Sequence, residues 1–303
     1  MRGKLDSSLW GKDARNGEIL SMRSYPSPNA NVELMELVYW SEGQRVKGLL
    51  GMPVQWREIV MRFLSGVAEK VRGERSRLRG MLYLRGGLQS IGMVRPARIA
   101  QFAAQQLVVF APYYRGNRGG EGKDEFVGVD RMDAITAVDV LRRFVGAAPI
   151  HVYGFSRGGV MALWTAIERN DIRSLTVWAG VSDVTATYWE RVDMRRGLKR
   201  IIGGTPNKYP ALYDARTPLF EIERIHVPVF IVHGENDQHV LIDHAYKLEQ
   251  ALRNNNKVVE TSYAANTPHH YPPKQNREMV KQICKWMEQQ EVDYLKDKEN
   301  CKH

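Results

Sequence analysis

A serine hydroxyl attacks a carbonyl only when it is held in the open, beside a base and beside backbone donors. One stretch of the chain has the form that does this: Val152-Tyr153-Gly154-Phe155-Ser156-Arg157-Gly158-Gly159. Ile150-His151-Val152-Tyr153 reads as a strand entering it, and Val160-Met161-Ala162-Leu163-Trp164 as a helix leaving it. That is the sequence form of a nucleophile elbow. A turn this tight leaves no room for side chains at Gly154 and Gly158, and it opens the helix with free amides near the serine oxygen. The plainer reading is a glycine-rich turn with an incidental serine. The strand and helix on either side argue against it.

Such a serine needs a base and an orienting acid, supplied from later strand ends in the order serine, acid, histidine. After Val229-Phe230-Ile231-Val232 comes His233-Gly234-Glu235-Asn236-Asp237-Gln238-His239-Val240, a polar turn with Asp237 at its tip. Glu235 is a rival carboxylate, and Asp237 could also do no more than cap a following helix. After Val258 to Tyr263 comes Ala264-Ala265-Asn266-Thr267-Pro268-His269-His270-Tyr271. Adjacent side chains cannot both face the serine, so either His269 or His270 is the candidate base. The developing oxyanion needs two donors. One is the backbone amide of Arg157, and the other comes from the loop Arg85-Gly86-Gly87-Leu88, where glycines let the backbone approach a substrate. His233, His239 and the histidine pair raise the thought of zinc. No His-Glu-x-x-His and no cysteine pair accompany them, so neither a metal nor another cofactor is called for.

From Gly80 onward strands and helices alternate, the pattern of a mostly parallel sheet covered on both faces. Strands are predicted over Met81 to Leu84, Leu107 to Phe110, Ile150 to Tyr153, Leu175 to Trp178, Val229 to Val232 and Val258 to Tyr263. Helices are predicted near Pro96 to Gln105, Val129 to Val145, Gly159 to Arg169, Ala245 to Arg253 and Lys274 to Gln289. Before them, Val32 to Trp40 and Arg45 to Met52 form a hairpin, and Pro53 to Arg79 a helix. The expectation is an α/β fold of eight strands. Its catalytic domain runs over 32–292, after a polar arm at 1–31 and before a polar tail at 293–303. The excursion Asp183 to Tyr213 is read as a lid, with Tyr188, Trp189 and Met194 as an apolar wall.

At 303 residues, with 43% apolar and 26% charged residues, the chain has ordinary globular composition and enough length for a sizeable core. A net charge of +10 raises nucleic acid or an anionic surface as partners. Its one concentration, Arg57 to Arg79, mixes in Glu58, Glu69 and Glu74 and carries no aromatic series, which reads as a solvated helix face. Two cysteines, Cys284 and Cys301, and the lack of a long apolar run lead us to expect a soluble cytoplasmic protein with no disulfide framework and no membrane partner. Oligomeric state is not legible.

Beyond the elbow, several pieces resemble one family. Ala111-Pro112-Tyr113-Tyr114-Arg115-Gly116 with Gly119-Gly120-Glu121-Gly122 is similar to an Asn-Tyr-Arg-Gly loop, and Asp130 and Asp133 to an acidic pair. Gly203-Gly204-Thr205-Pro206 with Tyr213, Arg216, Thr217 and Pro218 is similar to a Gly-Gly-x-Pro and Ser-Pro segment. His233-Gly234-x-x-Asp237-x-x-Val240 is similar to an acid-bearing turn. Together, over roughly Glu33 to Gln290, these resemble the catalytic domain of the prolyl oligopeptidase family of α/β-hydrolases. The resemblance implies Ser156 as nucleophile, Asp237 as acid and His269 as base, with His270-Tyr271 where the family shows Gly-Phe. Two departures stand out. Arg85 occupies the place of an aromatic residue whose hydroxyl helps hold the oxyanion, leaving a Gly86 to Leu88 amide, the Arg85 guanidinium or Tyr114 as second donor. Also, no β-propeller is seen ahead of the domain to restrict entry. The expected function is a serine hydrolase working through an acyl-enzyme, with a small carboxylic ester as first substrate and a short peptide as second. A catalytically silent relative that binds an anionic partner is the reading of another class.

Overall fold

The computed structural model describes residues 13–65, 78–89 and 91–300, leaving aside the side chains of 297–300. Among the described residues nine strands form one sheet: β1 (Ile19–Tyr25), β2 (Val32–Ser41), β3 (Gln44–Pro53), β4 (Gly80–Leu84), β5 (Val108–Pro112), β6 (Ile150–Phe155), β7 (Ser174–Trp178), β8 (Val229–Gly234) and β9 (Val259–Ala264). Their order is β1-β2-β3-β5-β4-β6-β7-β8-β9. The first three pair antiparallel, β3 joins β5 antiparallel, and every pairing from β5 through to β9 is parallel.

The parallel strands are buried on both faces, so they read as apolar runs. Alternate residues serve opposite cores: Leu82, Val152 and Ile231 face one, Met81, Tyr153 and Phe230 the other. The first core is closed by α1 (Arg57–Leu64), α3 (Arg131–Val145), α4 (Arg157–Glu168) and α8 (Asp243–Asn254), through residues such as Val60, Leu141, Leu163 and Leu248. Two helices, α2 (Pro96–Ala103) and α9 (Pro273–Asn300), close the second through Ile99, Phe102, Val280 and Ile283. The excursion after β7 carries α5 (Val184–Glu190), α6 (Arg195–Ile202) and α7 (Pro210–Asp214).

The count of nine departs from the expected eight because residues read as a surface arm supply β1, paired along β2. A bulge explains why this strand escaped a period-two reading. Ile19 and Met22, three apart, stand opposite Tyr39 and Leu37, two apart, and both pack on the same core. α9 likewise runs on past Gln289, into the segment read as a tail. Of the helix expected over Pro53 to Arg79, the described part is a single 3₁₀ turn at Val54–Trp56 followed by α1, and 66–77 lie outside the described residues together with most of the basic segment. Among the described residues no helix is long and apolar enough to cross a membrane.

Candidate active site

Parallel strands deliver their carboxyl ends to one edge of the sheet, and side chains just beyond those ends converge there. β4 ends in Arg85-Gly86-Gly87, β6 in Ser156, β8 in the turn with Asp237, and β9 in the loop with His269. Ser156 has φ 58° and ψ −126°, a conformation that strains any side chain bearing a Cβ. Backbone bonds impose it: the Ser156 amide donates to the Trp178 carbonyl at 3.1 Å, while its carbonyl accepts from Gly159 at 2.8 Å and Val181 at 3.0 Å. Gly158 is obligatory, because a Cβ there would lie 2.0 Å from the Leu84 carbonyl oxygen. The Arg157 amide, first in α4, has no acceptor within the helix.

Asp237 is 3% exposed, and its two oxygens divide the work. Oδ1 accepts the amides of His239 at 2.8 Å and Val240 at 3.0 Å. Oδ2 meets His269 Nδ1 at 2.6 Å and lies 3.3 Å from His233 Nε2. Capping and facing the histidine, offered above as rivals, are both realised, although the cap serves a turn and α8 begins only at Asp243. Burial pushes this carboxyl up, but the hydrogen bonds from His233 and His269 and the Val240 amide outweigh it and hold Asp237 well below the usual carboxylate range. Glu235 is exposed. His270 stacks on Phe155, with centroids 5.4 Å apart, and leaves Asp237 to its neighbour. Burial, then the charges around it, His269 and Arg95 foremost, lower the His270 imidazole. The acid and histidine turns are tied together by the Asn236 amide on the Thr267 carbonyl at 3.1 Å.

Ser156, His269 and His270 line one cavity of about 540 Å³, with Gly86, Gly87 and Leu88 on its wall. Two candidate oxyanion donors are engaged elsewhere. Arg85 is 1% exposed, and its N–H groups are taken up by the carbonyls of Tyr113, Gly86, Gln89 and Ile91. The Tyr114 hydroxyl donates to the Arg85 carbonyl at 3.3 Å. Both side chains build the loop from beneath. The Arg157 guanidinium does the same, donating to the Gly87 carbonyl at 3.0 Å and pairing with Asp124 and Asp130. Asp133 instead holds Arg115 and the Ser41 hydroxyl. Asp124 went unnoticed in the sequence, since its partner Arg157 lies 33 residues on and no local pattern links them.

From the Asp183 to Tyr213 excursion, read above as a lid, Met194 reaches the cavity, whereas Tyr188 is buried against Tyr213 and Trp189 points outward. Among the described residues two further serine, histidine and carboxylate groupings exist: Ser174 with His151 and Glu291, and Ser182 with His244 and Glu190. Both serines are fully buried and neither lines the Ser156 cavity, so these are structural ties. Among the described residues no cluster of histidine, cysteine and carboxylate could hold a metal ion.

The sheet order and the serine elbow define an α/β-hydrolase fold. The fold is shared with the acylaminoacyl peptidase of Pyrococcus horikoshii, at TM-score 0.67 and 16% identity over 86% of this chain and 42% of that one, so that this chain spans less than half the length of that peptidase. It is shared also with an acetyl xylan esterase from Paenibacillus sp. R4, at TM-score 0.64 and 14% identity over 87% of both chains. At the level of sequence, residues 94–292 match the profile of the prolyl oligopeptidase family. The uncharacterized peptidase YtmA of Bacillus subtilis (strain 168) is 47% identical over 272 residues, covering 89% of this chain and 98% of the relative. The chain therefore belongs to the prolyl oligopeptidase family of hydrolases.

Proposed function

We propose that the protein hydrolyses small carboxylic esters through an acyl-enzyme formed on Ser156. His269 takes the serine proton and returns it to the leaving group, and Asp237 fixes the imidazole and supports its charged form. The observation that carries this reading is the 2.6 Å bond from Asp237 to His269, on a ring that shares a cavity with a strained, glycine-flanked serine. The Arg157 amide supplies one oxyanion donor. Peptide planarity supports the second: a carbonyl and the following N–H point opposite ways, so the hold of Arg85 on the Gly86 carbonyl directs the Gly87 amide away from Arg85.

Esters come first because their leaving groups need less protonation than amines. Short peptides come second, favoured by the name of the 47% identical relative. The test is a fluorophosphonate probe beside 4-nitrophenyl esters and aminoacyl anilides. Labelling and ester turnover that vanish in Ser156→Ala support the hydrolase. A wild type silent toward every substrate and probe, yet binding nucleic acid in a salt-sensitive way, would instead support the binding protein.

A further inference from the structure

The charges on the cavity wall do not balance. Among the described residues that line it, Asp193 is the one carboxylate, and Arg191 already grips it through two bonds of 2.9 and 2.7 Å. Arg85 is answered from beneath by Asp124 at 3.7 Å. Two cations remain. Arg98 is half-buried, and its Nη1 donates to Asn276 at 2.7 Å and Gln101 at 3.0 Å, both neutral oxygens. Its guanidinium lies 5.6 Å from the Trp178 ring centroid, which further fixes its position. Arg95, exposed at the residue before α2, stands on the same wall. No carboxylate among the described residues forms an ion pair with either. A partly desolvated guanidinium held by neutral partners keeps its full field and still has N–H groups for a bidentate acceptor.

We propose that the catalytic cavity selects substrates bearing a carboxylate, received by Arg98 with Arg95, a specificity that rests on the hydrolase reading above. Its converse concerns ammonium groups. A free α-amino group would meet two uncompensated cations and a carboxylate already occupied by Arg191, so substrates with a free amino terminus are disfavoured. Burial is the foremost cause that lowers the His270 imidazole, and the charges of His269, Arg95 and Arg98 act in the same direction.

The test uses matched ester pairs. On the acyl side it compares mono-4-nitrophenyl glutarate with its methyl ester, and on the leaving-group side 4-acetoxybenzoate with its methyl ester. We expect kcat/KM to favour the anion by about tenfold or more in at least one pair, and the preference to shrink with added salt. Arg98→Gln should bring that ratio to about one, and Arg98→Lys should restore part of it. Should Arg98→Gln not fold, Arg95→Gln on the exposed side reads the same ratio. Parity or a neutral preference in both pairs would overturn the proposal while leaving a working hydrolase, and so would a ratio untouched by either glutamine variant. No turnover of any ester together with no labelling of Ser156 would instead remove the hydrolase reading, and this specificity with it.

Discussion

At the residue scale, what separates His269 from His270 is a single hydrogen bond. Both rings border the cavity and both pack on Phe155, yet only His269 reaches the Asp237 carboxylate. His269→Ala should therefore lower ester turnover by on the order of a millionfold or to background, as for groups that act as a unit, while His270→Ala keeps measurable turnover. Initial rates on a 4-nitrophenyl ester decide it, and the opposite ranking would move the base to His270. Asp237 also links the site to acid stability. Its folded pKa lies below the unfolded value of about 3.9, so the native state binds fewer protons and gains stability that is complete above that value. That gain is lost as pH falls through the folded value. Unfolding free energies of wild type and Asp237→Asn should differ by a constant amount from about pH 5 upward and converge below about pH 4. A gap that widens toward acid would contradict the assignment.

At the scale of elements, the loop after β4 is positioned by what lies under it. Gly86 packs directly on Ser156, and a Cβ there would stand 2.7 Å from the serine Cβ. Gly86→Ala should cost about a hundredfold in kcat/KM, since a shift of about 1 Å in a reacting group has that effect. Ester kinetics on a variant shown to be folded by circular dichroism will check this. Beneath the loop, Arg157 is 2% exposed and its charge is met by Asp124 and Asp130. A buried ion pair gains little over apolar packing, but removing Asp124 leaves the buried Arg85 and Arg157 charges to Asp130 alone. Asp124→Ala should destabilise the fold by about 3 to 5 kcal/mol in denaturant titration, and a loss below about 1 kcal/mol would show that the pair is solvated. The motif Gly154 to Gly159 was legible because its residue types stand together in one short stretch between a strand pattern and a helix pattern, although Gly158 and Gly159 are held to glycine by Leu84 and Gly180, far off in the chain. Arg85 was not: its position beside the glycine pair invited a catalytic role, and only the Tyr113 and Ile91 carbonyls disclose a scaffolding one.

At the scale of the whole molecule, α9 seals the face of the sheet opposite α4 and follows directly on the histidine loop. Ile283 on α9 is fully buried in that second core. Ile283→Ala should cost about 2 to 5 kcal/mol, seen as a lowered unfolding midpoint. An unchanged midpoint would mean that α9 is not bound to the sheet as described.

The sequence alone determined the alternation of strands and helices and the strand-turn-helix form around Ser156, because each shows as periodicity and a glycine pattern within a short stretch, and it marked Asp237 as a turn-tip carboxylate with Glu235 as its rival. The tertiary structure decided the rest. It added β1, whose bulge breaks the two-residue period, and it separated one open serine from two buried ones that carry the same partner types. It also showed which cations on the cavity wall are answered and which are not. Exposure and charge balance depend on residues far apart in the chain, and no local pattern encodes them.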